Sequence, residues 1–188
     1  MEDVEKVLGF VKELERLKDA ERTAWTGNGR RESVAEHTFR LALFAFALAE
    51  DFPGIQMDRV ILMCLVHDLG EAYAGDISAV VGEDREKKLQ RERLAIEKLT
   101  VGLPELRSKI LSLWEEYNRG ESREAMLVKA LDKMETILQH NQGKNPPGFD
   151  YQFILSYGKG LAGWHPVLKA IRKQIDKETR KNAVNHLA

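Results

Sequence analysis

The amino-acid sequence predicts an all-α fold, a single domain of about seven helices. Apolar residues recur at the three- and four-residue spacing of amphipathic helices along most of the chain. No stretch alternates apolar and polar residues between turn signals, so we expect no substantial β-sheet. The 188 residues contain no repeat and no long linker. We therefore expect one domain over residues 1–188, with a motif-bearing core at about 20–140 and C-terminal helices at 149–184 packed on it.

Local signals define most of the helix boundaries. Ser33 and Glu36 stand three residues apart, which is the capping-box signature of a helix start. Pro104 and Pro166 suit the first turn of a helix, and Gly27-Asn28-Gly29 marks a loop where helical spacing stops. The predicted helices span about residues 4–14, 34–50, 60–69, 84–100, 104–117 and 122–140, a short segment near residue 151, and residues from 166 onward.

The composition narrows the classes of partner. Lys and Arg number 29 against 30 Asp and Glu, so the formal net charge is −1. This balance removes the main electrostatic reason to expect a nucleic acid or an anionic membrane as partner. The chain starts with acidic residues, and its longest apolar run, Leu41–Ala49, is far shorter than the roughly 20 residues that span a bilayer. We therefore expect a cytoplasmic protein that binds neither nucleic acid nor membrane.

Few residues can supply metal ligands. Cys64 is the only cysteine, which excludes an internal disulfide and a cysteine-rich zinc site. A metal must therefore be held by Asp, Glu and the five histidines. Such ligands suit Mn²⁺, Fe²⁺, Co²⁺ or Ni²⁺, while Zn²⁺ accepts the same ligands but prefers fewer of them.

The segment around His67 and Asp68 is the most informative part of the chain. The two residues end an apolar run, and the carboxylates Glu71 and Asp76 follow them closely. A helix C-terminus disfavours the charge of Asp68, so a cation is expected nearby. From these residues alone, a metal and a solvated helix end are equally good interpretations.

Other candidate residues are ambiguous when taken alone. His37 lies early in a predicted helix whose middle is apolar on every side, and it is either a hydrogen-bonded core residue or a ligand. Asp132 projects away from the apolar stripe of its predicted helix, so helical-wheel reasoning favours a solvated side chain. His140 ends a helix, where the dipole favours a charged imidazole. Neither it nor His165 and His186 is assigned to a metal.

The order and spacing of these residues resemble a known family. His37, His67-Asp68 and Asp132 resemble the H…HD…D signature of the HD-domain superfamily of metal-dependent phosphohydrolases. The segments similar to its 5′-deoxynucleotidase branch are Arg22–Trp25, Glu32–His37, His67–Glu71 and Gly75–Ile77. The resemblance implies an HD-type helical bundle. It also implies that His37, His67, Asp68 and Asp132 bind one divalent cation, which could be Mn, Co, Fe, Ni, Mg or Zn.

The same resemblance implies parts in catalysis and substrate binding. Glu71 would be catalytic, taking a proton from water or passing one to the departing sugar oxygen. Arg22 would hold the phosphate and Trp25 would pack near the sugar. Asp76 would accept a hydrogen bond from a sugar hydroxyl or, with Glu71, hold a second ion. Each residue also has a structural alternative. Glu71 would be a solvated acid and Arg22 a member of a local ion pair. Trp25 would be a core anchor and Asp76 the cap of a turn.

One departure from the family bears on the phosphate contact. In bacterial relatives the arginine directly precedes the tryptophan, whereas Thr23 and Ala24 intervene here. Arg30 and Arg31 are therefore alternatives to Arg22.

The resemblance implies a divalent-metal-dependent phosphomonoesterase that converts deoxynucleoside 5′-monophosphates to deoxynucleoside and phosphate. It also implies a homodimer, for which the amphipathic C-terminal helices could supply the interface. Two alternatives stay open: an HD-type phosphodiesterase acting on a cyclic or oligonucleotide substrate, and a non-catalytic helical protein that binds metal or assembles with a partner.

Overall fold

Helices make up most of the chain in the computed structural model, which describes residues 3–76, 82 and 84–186, with side chains as far as residue 184. The prediction of an all-α fold is confirmed. Short 3-10 turns add to the helices, and the one after α4 (Leu69–Ala72) bears on the site. The helices are α1 (Val4–Glu13), α2 (Arg16–Asp19), α3 (Val34–Ala47), α4 (Met57–Val66), α5 (Arg85–Leu99), α6 (Pro104–Arg119), α7 (Arg123–Gln142), α8 (Tyr151–Ser156) and α9 (Pro166–His186).

The segment expected to be a loop contains a small β-hairpin. Strands β1 (Glu21–Trp25) and β2 (Arg31–Ser33) pair antiparallel with an irregular register. Gly29 adopts a φ of 92° in the connecting turn, a conformation that glycine reaches without steric cost. The strands are too short for alternation to stand out in the sequence, so the loop assignment was wrong here. The expectation of no substantial sheet holds for the described residues.

The predicted capping box is present at the start of α3. The hydroxyl of Ser33 accepts a hydrogen bond from the Glu36 backbone N–H at 3.3 Å, and the Glu36 carboxylate accepts one from the Ser33 backbone N–H at 2.9 Å. These reciprocal bonds satisfy two backbone donors that a helix start leaves unpaired. They set where α3 begins and so place His37 in its first turn.

Helix α7 lies at the centre of the molecule, where α3, α4, α6, α9 and β1 all pack against it. Leu127, Leu131 and Met134 belong to the main core. Asp132, outside the apolar stripe, is nevertheless only 3% exposed. The expectation of a solvated Asp132 was therefore wrong. Helical-wheel reasoning assumes one buried face, whereas α7 has neighbours on several sides.

The C-terminal helices pack against the end of α7. Arg172 in α9 donates to the backbone carbonyls of Tyr157 and Leu155 at 2.7 and 2.9 Å. Asn182 donates to the Asn141 carbonyl at 2.9 Å, which joins α9 to α7.

Across the described ranges, no helix has an apolar stretch long enough to cross a bilayer.

Candidate metal centre and active cleft

The four residues predicted to bind metal lie together. His37 comes from α3, His67 and Asp68 from the end of α4, and Asp132 from α7. Nε2 of His37 is 3.4 Å from Asp132 Oδ1 and 3.8 Å from Asp68 Oδ2. Nε2 of His67 is 3.1 Å from the same Asp68 oxygen. Three separate helices thus bring two imidazoles and two carboxylates to one place.

The hydrogen bonds of each imidazole leave the same nitrogen available. Nδ1 of His37 donates to the Glu135 carboxylate at 2.5 Å, and Nδ1 of His67 donates to the Cys64 carbonyl at 2.8 Å. In a neutral ring this arrangement places the lone pair on Nε2. Both Nε2 atoms are buried without a hydrogen-bond partner. A buried lone pair beside carboxylates is the donor set that a divalent cation needs.

The site has an excess of negative charge. Burial and the charge of Arg22 oppose protonation of His37, but Glu135 and Asp132 outweigh them and raise its pKa to about 9. The carboxylates that attract a proton here would also attract a cation. A cation bound at Nε2 has to replace that proton.

Cationic and polar neighbours hold the two aspartates ionised. Burial opposes ionisation of Asp132, but Lys133 and the histidines lower its pKa well below the usual range. Oδ2 of Asp132 accepts from Tyr117 at 2.7 Å and from Lys133 at 2.9 Å. Burial likewise opposes ionisation of Asp68, but His67, His37 and Arg22 lower the pKa of its carboxyl well below the usual range.

A second cluster of possible ligands is less suitable. Glu32, His37 and Glu135 also place ligand atoms within 4.8 Å of one another. Arg22 Nε, however, lies 3.3 Å from Glu32 Oε2, and Arg40 pairs with Glu135. Arginines already neutralise these carboxylates, so the chemistry favours the first cluster.

Glu71 lies in the turn Leu69–Ala72 and is only 5% exposed. Burial and the negative charges of Asp68 and Asp76 raise its pKa well above the ordinary glutamate value. Its Oε2 atom is buried without a hydrogen-bond partner. The structure therefore places beside the metal candidates a carboxyl group that is poised to exchange a proton.

A cleft of about 650 Å³ lies over the four candidate metal ligands. His67, Asp68 and Asp132 line it, while His37 is fully buried next to them. Its volume suits a small molecule of nucleotide size. The other lining residues include the predicted Arg22, Trp25, Glu71 and Asp76, the cations Arg85, Lys88, Lys129 and Lys133, and the rings of Tyr117, Phe149, Phe153 and Tyr157. Ile77, quoted with Gly75 and Asp76, lies outside the described residues.

The alternatives for the phosphate contact separate clearly. Arg22 lines the cleft, and its Nη1 atom lies 3.5 Å from Asp68 Oδ2. Arg30 instead pairs with Glu36 and donates to the Arg31 carbonyl. Arg31 stacks over Trp25, 4.3 Å from the ring centroid. Neither Arg30 nor Arg31 lines the cleft.

Sequence reasoning missed several residues of the site. Lys129, Lys133, Thr136 and His140 line the cleft from α7. All four follow one another at intervals of three or four residues, about one helical turn, which was a usable signal once Asp132 was nominated. His140 is buried rather than a charged helix end, and burial lowers its pKa to about 4.

Comparison with known proteins decides the family. The profile described as an HD domain matches residues 14–172. The chain belongs to the HD-domain family. This HD-domain protein is 35% identical over 183 residues to 5′-deoxynucleotidase HDDC2 of Mus musculus, covering 94% of this chain and 89% of that one. It is 34% identical over 186 residues to the protein of the same name from Dictyostelium discoideum, covering 92% and 98%.

A solved structure agrees with the fold. The crystal structure of a protein described as a predicted metal-dependent phosphohydrolase, from Magnetospirillum magnetotacticum MS-1, matches with a TM-score of 0.78 at 28% identity. The match covers 96% of both chains. The predicted family, its helical fold and the assignment of the HD-domain protein as a hydrolase are thereby confirmed.

Proposed function

We propose that the HD-domain protein is a divalent-metal-dependent phosphomonoesterase that hydrolyses deoxynucleoside 5′-monophosphates, acting in the cytoplasm as a homodimer. The observation that carries the proposal is the pair of unpartnered Nε2 atoms beside two carboxylates in a cleft of nucleotide size. The relatives named 5′-deoxynucleotidase supply the substrate class.

His37, His67, Asp68 and Asp132 would hold one divalent cation. When bound, such a cation polarises the phosphate and lowers the pKa of water, so that hydrolysis proceeds at neutral pH. The protein keeps both Nε2 atoms free through the Nδ1 hydrogen bonds to Glu135 and Cys64. A second ion near Glu71 and Asp76 is the alternative stoichiometry.

The remaining residues would bind and orient the substrate. Glu71 would transfer a proton at the reacting phosphate from its position in the cleft wall. Asp76 would accept a hydrogen bond from a sugar hydroxyl, and Trp25 would pack against the sugar. Arg22 would hold Asp68 in place and face the phosphate. The aromatic rings that line the cleft, including Phe149, offer an apolar surface for the base.

A substrate panel tests the activity. We expect the Mn²⁺- or Co²⁺-loaded protein to release phosphate from deoxynucleoside 5′-monophosphates faster than from ribonucleotides, and to lose this activity with a chelator. Cyclic and oligonucleotide diesters serve as the comparison. Preferred turnover of diesters would replace the proposal with a phosphodiesterase. No turnover of any nucleotide by metal-loaded protein would leave a non-catalytic metal-binding protein.

The homodimer is supported by an exposed apolar surface on α3 and α4. Phe39, Leu43 and Phe46 on α3 and Leu62 and Leu65 on α4 are each 44% to 64% exposed. They follow helical spacing on two helices that pack against each other, which supports a shared apolar surface. Patches of this kind are commonly covered by a second subunit. We place the interface here rather than on the C-terminal helices.

Oligomeric state tests this surface directly. We expect light scattering after size-exclusion chromatography to give a dimer, and Phe46→Glu to give a monomer. Val101→Glu is the matched control, because Val101 is 67% exposed and lies between α5 and α6, on neither helix of the patch. A monomeric parent protein, or a dimer unaffected by Phe46→Glu, would refute the proposed interface.

A further inference from the structure

Two lysines lie one turn apart on the face of α7 that borders the cleft. Lys129 and Lys133 are in an i, i+4 relation, which places their side chains beside each other on a helix. Both line the cleft and both are partly buried. The family resemblance assigns neither of them a role.

Lys133 contacts one candidate metal ligand directly, and Lys129 lies over an aromatic ring that contacts another. Lys133 Nζ is 2.9 Å from Asp132 Oδ2. Lys129 Nζ lies over the Tyr117 ring at 4.3 Å from its centroid. That ring also contacts His67, with centroids 4.9 Å apart. An anion held at the metal ligands would therefore have both lysines as neighbours.

Within the described part of the chain, the ammonium group of Lys129 lacks a direct carboxylate partner. Among the described residues, no carboxylate oxygen lies within ion-pair distance of Lys129 Nζ. A partly buried ammonium group without a counter-charge is unfavourable unless an anion binds beside it. The cleft thus contains an ammonium group that has an aromatic neighbour but, among the described residues, no carboxylate at ion-pair distance.

The guanidinium of Arg22, in contrast, already faces protein partners. Its Nη2 atom donates to Thr136 Oγ1 at 3.0 Å. Its Nε and Nη1 atoms lie 3.3 Å from Glu32 Oε2 and 3.5 Å from Asp68 Oδ2. Only 9% of Arg22 is exposed. These contacts hold the guanidinium of Arg22 beside Asp68 in the cleft wall.

We propose that Lys129 and Lys133 bind the substrate phosphate alongside Arg22, which also contacts Asp68 and Thr136. Lys133 would contact the phosphate from its position beside Asp132. Lys129 would contact it from its position over the Tyr117 ring. The identity of the substrate rests on the proposed function, but binding of the phosphate group itself does not.

Binding of inorganic phosphate to the metal-loaded protein tests the inference without any reaction. We expect Lys129→Met and Lys133→Met each to raise the dissociation constant for phosphate, measured by calorimetry, by about 10-fold or more. The reason is that each variant loses a hydrogen bond to a charged group. Lys169→Met is the matched control, because Lys169 is an exposed lysine on α9. Unchanged phosphate affinity in both cleft variants would overturn the inference.

A purely structural role of Lys133 must be separated from phosphate binding. Metal content measured by mass spectrometry shows whether Lys133→Met disturbs Asp132, and Lys133→Arg should restore phosphate affinity. Lys129 makes no contact with Asp132 in the structure, so Lys129→Met should weaken phosphate binding with metal content unchanged. Loss of metal in Lys129→Met without any separate loss of phosphate affinity would overturn the assignment.

The outcome is independent of the proposed activity. If the protein turned over no nucleotide but the two lysine variants bound phosphate more weakly, the phosphate site would stand and the proposed function would fail. If nucleotides were hydrolysed and the variants kept the parental KM and phosphate affinity, the proposed function would stand and the phosphate site would fail.

Discussion

Immediate neighbours shift the pKa values of two carboxyl groups in one cleft in opposite directions. Lys133 and the two histidines outweigh burial at Asp132 and lower its pKa. Glu71 is buried as well, but its neighbours are the carboxylates Asp68 and Asp76, and its pKa rises. Such divergence between neighbouring acids is typical of sites that bind a cation with one group and transfer a proton with another.

This contrast gives the sharpest test of Glu71. We expect Glu71→Gln to lower kcat by 100-fold or more, on the order of what positioned proton transfer contributes, while metal content and unfolding temperature stay near those of the parent. Glu86→Gln, an exposed position on α5, is the matched control. Parental turnover in Glu71→Gln would contradict the catalytic role.

His140 gives a pH dependence whose sign can be worked out. Its pKa is about 4 in the folded protein, because burial disfavours the charged ring, against about 6.5 in the unfolded chain. Between these values the unfolded state binds more protons, so the free energy of unfolding falls as pH falls. The loss is on the order of 2 to 3 kcal/mol between pH 6.5 and pH 4.

Urea unfolding at several pH values measures this effect. We expect His140→Gln to have a shallower decline of the unfolding free energy over this pH window than the parent protein. The difference between the two curves isolates His140 from the other acids that titrate in the same range. Parallel curves would show that the imidazole does not carry this dependence.

At the level of elements, the site depends on how the turn Leu69–Ala72 packs against α5. Gly70 allows this contact: a Cβ atom added there would lie 2.4 Å from Glu92 Cβ and 2.8 Å from Glu92 Cα. Atoms this close cannot coexist, so the turn or the helix would have to move. The same turn carries Glu71 and follows Asp68 directly. A glycine outside the metal signature thus sets the geometry of the site.

Gly70→Ala should therefore affect both stability and activity. We expect a destabilisation of about 1 to 3 kcal/mol from overpacking, together with lower kcat, measured by denaturant unfolding and phosphate release. Gly9→Ala is the control: Gly9 lies within α1 with nothing within 4 Å of an added Cβ. That variant should be stabilised by about 0.5 to 1 kcal/mol. A Gly70→Ala protein as stable as the parent would contradict the packing argument.

At the level of the whole molecule, the candidate ligands connect helices that are far apart in sequence. A cation held by His37, His67, Asp68 and Asp132 would join α3, α4 and α7, the helices that build the core. Without it, Lys133 and Arg22 are the cations beside the two aspartates among the described residues. Binding to the folded state alone therefore stabilises the whole fold.

Metal removal should lower the unfolding temperature. At a metal concentration 100 times the dissociation constant, binding adds about 2.7 kcal/mol, or roughly 5 to 10 °C for a chain of this size. Calorimetry with and without chelator measures the shift, and elemental analysis should find one ion per chain. Asp132→Asn should lose most of the shift. Equal unfolding temperatures with and without metal would exclude a cation at this centre.

The one-domain proposal has its test in the same scans. If residues 149–184 belong to the same folding unit as the core, unfolding should follow one cooperative transition. Two separated transitions would divide the C-terminal helices from the rest.

The sequence by itself determined those features that depend on local spacing. The helix positions follow from apolar periodicity, and the start of α3 follows from the Ser33–Glu36 capping box. Both can be inferred because their causes lie within a few residues of each other. The family resemblance could be stated from the sequence for a related reason, since its motifs are short and ordered along the chain.

Only the tertiary structure decided what surrounds each side chain. Asp132 is buried because helices on several sides enclose α7, and His140 is neutral because it lies inside the same packing. Lys129 and Lys133 are candidates because the fold places Tyr117 beside the first and turns the second toward the cleft next to Asp132. These contacts join residues from different helices. The burial and charge that govern the site depend on packing between distant segments, which local spacing does not specify.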